Sequence, residues 1–182
     1  MKYISYDLGY KNLAFCMGSV SEAGECSIER WDCVDIVTDS NITKAKKPTI
    51  EKLVQCLLWH LRQVEATTAD VDQVLIEIQP AGGFHRRSNT KMKCLSHCLQ
   101  FYYLERNKTV KFVSPKLKLK GANFKHVKAS KDRYALHKKF AIEKCAGIIK
   151  GTPWEQVFDQ SKKKDDLADS YLQACATYNA SY

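Results

Sequence analysis

The run Val71-Asp72-Gln73-Val74-Leu75-Ile76-Glu77-Ile78-Gln79 decides how this chain is read. Its aliphatic and β-branched residues, closed off by Pro80 and Gly82-Gly83, describe a buried strand. Glu77 stands inside that apolar run, and a charge within a central strand is costly unless something compensates it. Gln79 points to the same side as Glu77 by the two-residue period of a strand. Helix capping, the common explanation of an isolated acid, does not apply to Glu77.

Working outward, residues 50–64 keep helical spacing through Ile50, Leu53, Val54, Leu57, Leu58, Leu61 and Val64, a face that needs a sheet to cover. A polar linker over 43–48 precedes that helix. Before it, residues 2–8 alternate, Gly9 turns the chain, and 12–20 is apolar and small. Gly24 marks another turn, and 27–37 reads as a strand with Ile28, Trp31, Val34, Ile36 and Val37. Downstream, 89–105 is helical, with Met92, Leu95, Leu99 and Tyr102 as one stripe. Residues 109–113 form a short strand ended by Ser114-Pro115, and a basic loop runs to about Ala129. Ser130 caps the next helix, 147–161 is irregular, and a last helix spans 164–178. The order predicts an α/β fold: a mixed five-stranded sheet, three antiparallel strands and then parallel ones, flanked by helices. The 182 residues fit one domain, 1–182.

Hydrophobic residues make up 45% of the chain, which predicts a globular protein, and no apolar run approaches the ~20 residues of a membrane span. The N-terminal run carries Asp7 early and lacks the apolar region of a secretion signal, so the expectation is an intracellular protein, not secreted. In that setting the eight cysteines read as free thiols. Cys94, His97 and Cys98 are close enough in sequence to suggest zinc, but without a second ligand pair they read as residues of a helix. Residues 111–150 hold twelve Lys or Arg against Asp132 and Glu143, a local balance of +10 in a chain of net charge +9. A basic face of that size suits a polyanion, although charge alone also fits a solvated surface.

Further acids stand out beside Glu77. Asp7 ends the first strand and shares a face with Tyr3 and Ser5. Asp166 and Asp169, three apart, share a helix face; Asp165 and Asp169, four apart, also qualify, and spacing does not choose between them. Carboxylates gathered at strand ends and a helix start would bind Mg²⁺, a hard ion that prefers oxygen. Two such ions would suit phosphodiester hydrolysis. The plain alternatives are a turn residue for Asp7 and service to the helix N-terminus for Asp165 and Asp166.

Asp7-Leu8-Gly9-Tyr10-Lys11-Asn12 resembles the first-strand motif of RuvC-like Holliday junction resolvases, closest to the type of poxviruses, other large DNA viruses and fungal mitochondria. Glu77-Ile78-Gln79 resembles the family's Glu-x-Gln strand, and Asp165-Asp166-Leu167-Ala168-Asp169-Ser170 its C-terminal helix motif. Val113-Ser114-Pro115 is similar to the segment after its fifth strand. The resemblance implies an RNase H-like fold, a homodimer, Mg²⁺ or Mn²⁺ as two ions per site, and paired nicks across a four-way junction. It carries the metal-binding acids onto Asp7, Glu77, Asp166 and Asp169, lifting Asp166 above Asp165. It also implies a functional lysine, matched by Lys131, with Lys128 second. If the protein is viral, the cytoplasmic replication site is where it is expected.

Lys11, Lys116, Lys118, Lys120 and Lys128 are candidate DNA contacts, joined by Arg86 and Arg87 in the glycine-rich loop Pro80-Ala-Gly-Gly-Phe-His-Arg-Arg87. Phe84 is as well suited to wedging into a junction as to loop packing. Three competing readings are an actin-like ATPase, a non-catalytic DNA-binding module and a nuclease for another substrate such as RNA–DNA hybrid. The first usually needs two lobes and this chain supplies one, so no nucleotide cofactor is expected. The second leaves carboxylates facing phosphate without neutralisation.

Overall fold

Ser5 pairs with Leu75 across a parallel ladder and with Cys16 across an antiparallel one, so the two halves of the sheet meet on β1 (Lys2–Asp7). The computed structural model describes residues 1–79, 89–122 and 130–179. β2 (Leu13–Ser19) and β3 (Arg30–Val34) extend the sheet antiparallel on one side; β4 (Gln73–Glu77) and β5 (Thr109–Val113) extend it parallel on the other. The order is β3-β2-β1-β4-β5, the mixed sheet expected from the sequence.

Both faces of the sheet are covered, so its middle strands are apolar on both sides. Ile4, Tyr6, Val74 and Ile76 meet α2 (Ile50–Thr68) and α3 (Thr90–Leu104). Thr49 starts α2 by accepting a hydrogen bond from the Lys52 amide at 3.3 Å. Leu53, Leu57 and Leu61 then fall on one face and are fully buried. Each contributes about 1.5–3 kcal/mol by leaving water, and truncating one to Ala would cost about 2–5 kcal/mol. Tyr3 and Leu75 face the opposite layer, built from α4 (Ser130–Ile149), α5 (Trp154–Gln160) and α6 (Lys164–Tyr178).

Three segments differ from the sequence expectation. The third strand stops at Val34, because the Asp35 carboxylate accepts from the amides of Val37 and Thr38 and starts the short helix α1 (Ile36–Ser40). Residues 147–161 are not irregular throughout. Gly151, at φ 77°, breaks the chain after α4, and α5 follows with Phe158 stacked on Trp31 at 5.4 Å. A 3-10 turn (Leu117–Leu119) also interrupts the basic stretch. All eight cysteines are free, and among the described residues no helix is long and apolar enough to cross a membrane.

Two buried polar contacts set where α6 lies. The Trp31 indole donates to the Leu167 carbonyl at 3.0 Å, and the Gln173 amide donates to Ser5 Oγ at 3.0 Å. Sliding α6 along the sheet would strand both donors in the interior, which fixes the helix against β1 and β3.

Candidate active site

Asp7 is the last residue of β1 and Glu77 the last of β4. The register that pairs Tyr6 with Ile76 sets these two acids side by side at the C-terminal ends of parallel strands. By alternation they follow Ser5 and Leu75, which face α6. Asp169 lies one helical turn before Gln173, the residue bonded to Ser5, so the same stripe of α6 carries Asp169 towards the end of β1. Asp7, Glu77, Asp165, Asp166 and Asp169 thereby line one cavity of about 360 Å³, together with Lys118, Tyr134, His137 and Lys138.

Lys118 departs from the expectation of a surface lysine that touches phosphate. It is only 9% exposed, and its Nζ lies 2.7 Å from Glu77 Oε2 and 2.5 Å from Asp169 Oδ2. The 3-10 turn points it inward, where burial disfavours its charge but the carboxylates of Asp169, Glu77 and Asp7 more than restore it, holding its pKa above the usual lysine value. Nothing in the lysine-rich sequence distinguishes it from Lys116 or Lys120, which are exposed.

The remaining acids sit in unequal surroundings. An edge of Asp7 reaches the cavity, but burial drives its carboxyl well above the usual range, reinforced by Glu77 and opposed by Lys118. Asp169 is raised by burial against the pull of Lys118, and Asp166 by burial and then by the charge of Asp165. Asp165 goes the other way. Burial pushes it up, but the hydrogen bond and charge of Lys138 outweigh burial and leave it below the ordinary value. Asp165 is thus neutralised within the protein. Asp166 Oδ2 is buried without a hydrogen-bond partner among the described residues, with Lys163 Nζ 3.9 Å away.

A divalent cation fits this donor set. The side chains are carboxylates, the ligands preferred by Mg²⁺ and Mn²⁺, and one buried oxygen has no hydrogen-bond partner among the described residues. Three of the four candidate ligands are held at raised pKa by burial first and by neighbouring carboxylates second, and a bound cation would favour their charged forms. Among the described residues, no three His, Cys, Asp or Glu side chains are yet drawn together as a chelating group; Lys118 stands between Glu77 and Asp169 instead. Cys94, His97 and Cys98 likewise form no such group, and His97 pairs with Gln100 at 3.1 Å.

The other candidates scatter. Lys11 lines a separate cavity of about 600 Å³ with Asn12, Asn89 and Lys91. Lys131 falls in the first turn of α4, but its side chain lies outside what the structure describes, as do Phe84, Arg86, Arg87 and Lys128 altogether. Sequence reasoning did not single out Tyr134, His137 or Lys138; three residues of a basic helix carry no local mark of facing an acidic cavity.

Comparison of the whole fold with solved structures finds the fowlpox virus resolvase in complex with substrate Holliday junction DNA, at a TM-score of 0.65 and 18% identity over 99% of this chain and 98% of that one. The yeast mitochondrial Holliday junction resolvase Ydc2 matches at 0.68 and 18% identity, over 97% of this chain and 78% of that one. The chain shares the fold of these two structures, the RNase H-like fold. RuvC of T. thermophilus, also solved with a Holliday junction substrate, shares that fold at a TM-score of 0.59 and 16% identity, over 97% and 91% of the two chains. No protein-family model and no curated sequence matches the chain.

Proposed function

We propose that this protein is a divalent-metal-dependent endonuclease that resolves four-way DNA junctions as a homodimer. The observation that carries this reading is the gathering of Asp7, Glu77, Asp166 and Asp169 on one cavity, in a fold shared from end to end with junction resolvases. These four residues would hold the ions, two per site. When bound, Mg²⁺ or Mn²⁺ supplies charge neutralisation at the phosphate and activation of the attacking water.

The chain's own groups do the rest. The carboxylates lie at the ends of rigid strands and on a pinned helix, so their positions vary little when substrate arrives. Lys118 balances part of their charge and keeps Glu77 and Asp169 together. Lys11, Lys116 and Lys120 are exposed and are assigned to phosphates, as are Arg86, Arg87 and Lys128. Lys131 is assigned to the reaction itself.

A junction has near two-fold symmetry, and resolving it takes two matched cuts, which an isologous dimer supplies. The outer side of α3 supports such a pairing. Phe101 is 67% and Leu104 46% exposed, beside an apolar groove lined by Val54, Leu58 and Cys98.

The test is incubation of a labelled four-way junction, a duplex and an RNA–DNA hybrid with the protein, with and without Mg²⁺. Paired symmetric nicks in the junction alone, requiring Mg²⁺, are expected. Preferential cutting of the hybrid, or binding without cutting under all conditions, would overturn the reading.

A further inference from the structure

Among the described residues, Tyr134 is the one large apolar side chain that both lines the acidic cavity and is widely exposed, with 63% of its surface open to solvent. The protein buries other tyrosines completely: Tyr3 and Tyr6 lie in the sheet at 0% exposure. Leaving a ring in water gains nothing for folding. Yet Tyr134 is held in place. One helical turn on, Lys138 Nζ lies 5.1 Å from its ring centroid, and Lys138 is ion-paired with Asp165 at the start of α6. The ring therefore stands at the mouth of the cavity, steadied on one side and largely uncovered.

Apart from Leu8, Pro115 and Leu119, the chemistry around it is ionisable. The carboxylates of the cavity and the ammonium groups of Lys118 and Lys138 address phosphate, directly, through a cation or by balancing charge. The ring does not; it offers a π face. The part of a nucleic acid that matches a π face beside a phosphate site is the adjacent nucleobase.

We propose that Tyr134 is a substrate-positioning residue whose ring stacks on the nucleobase next to the phosphate held in the acidic cavity. This rests on the nuclease reading above. Stacking of this kind tolerates any base, so it would not set a cutting sequence. It does favour branched DNA. At a branch point the base stack is already interrupted, whereas an uninterrupted duplex must be unstacked before a base can reach the ring.

The experiment compares wild type, Tyr134→Ala and Tyr134→Phe on four-way junctions carrying 2-aminopurine beside the mapped cut. Fluorescence is read on binding in Ca²⁺, and single-turnover cleavage in Mg²⁺ at saturating protein. Stacking predicts a base-specific fluorescence change in wild type and Tyr134→Phe that Tyr134→Ala lacks. It also predicts cleavage about tenfold slower in Tyr134→Ala, recovered by Tyr134→Phe, with an unaltered melting temperature. Equal loss in both variants would assign the effect to the hydroxyl and overturn stacking. Wild-type cleavage and fluorescence in Tyr134→Ala would overturn the role of Tyr134 while leaving the nuclease reading intact. A wild-type protein that neither binds nor cuts the junction overturns the nuclease reading and this role with it.

Discussion

The ammonium of Lys118 lies 2.5 Å from a carboxylate oxygen of Asp169, a contact that spans 51 positions of sequence and brings a positive charge into the acidic cavity. Removing one partner of a buried ion pair leaves the other charge uncompensated, at a cost of about 3–5 kcal/mol. In EDTA, Lys118→Met is expected to melt well below wild type, and Mg²⁺ is expected to recover more stability in the variant than in wild type. Thermal scans with and without Mg²⁺ check this. A variant as stable as wild type in EDTA would mean that the pair contributes little to holding the acids together.

Asp7→Asn, Glu77→Gln and Asp169→Asn should each abolish Mg²⁺-dependent cleavage and leave junction binding largely intact. Each keeps side-chain volume and removes a charge that a cation would need. Asp7→Asn should also raise the melting temperature in EDTA, because its carboxylate is buried among like charges. Asp165→Asn should be milder than Asp166→Asn in cleavage, since Lys138 already occupies Asp165. Full activity in any of the first three removes that residue from the site; the reverse order in the last pair exchanges the roles of Asp165 and Asp166.

Junction affinity should fall steeply with salt. Each of Lys11, Lys116 and Lys120, exposed as they are, should contribute about 0.9 to the log–log slope, so the triple Ala variant should flatten it by nearly three. Lys118→Met should leave the slope where it is, because a lysine paired with two carboxylates releases no counterion from DNA. Lys131→Ala should lower the cleavage rate more than affinity. An unchanged slope in the triple variant would put the DNA surface elsewhere.

Phe101→Glu with Leu104→Glu should convert a dimer to a monomer in sedimentation at micromolar concentration, with melting temperature little altered, since both side chains are already exposed. Excess Asp7→Asn protein mixed with wild type should yield single nicks from mixed dimers. A wild-type chain that is monomeric free and on DNA, yet cuts in pairs, would defeat the dimer.

His60 gives a pH signature independent of the site. It is buried against Phe15 with Nε2 unpartnered among the described residues, and burial, then Arg30, lowers its pKa against the opposing pull of Asp32 and Asp39. A folded pKa below the unfolded value of about 6.5 means that the unfolded chain binds the proton more readily. Its contribution is therefore complete above about pH 6.5 and is lost as pH falls towards the folded pKa, at a slope of up to about 1.4 kcal/mol per pH unit. Denaturation across pH 5–8 should show this slope in wild type and lose it in His60→Leu. The same slope in both would place the proton elsewhere.

The sheet, the main helices and the acids were legible in the chain because their signals are local. Alternation along β1 and β4 and the turn-by-turn spacing of α6 are properties of neighbouring residues, and a glutamate in an apolar strand is conspicuous without its surroundings. The short helices were less legible. Ile36 and Val37 have the composition of a strand, and only the Asp35 cap turns them into α1; α5 depends on Trp31, over a hundred positions away, to receive Phe158.

By itself, the sequence determined which residues carry charge on which face of which element. The tertiary structure decided what each charge meets. Asp165 and Asp166 satisfy the same helical spacing, and it is Lys138, from another helix, that occupies one, while an oxygen of the other has no hydrogen-bond partner among the described residues. Lys118 is one lysine in a basic stretch until the fold seals it between Glu77 and Asp169. The reason is physical: periodicity is set by backbone geometry within a few residues, whereas the energy of a charge is set by desolvation and by partners that arrive only when distant segments pack together.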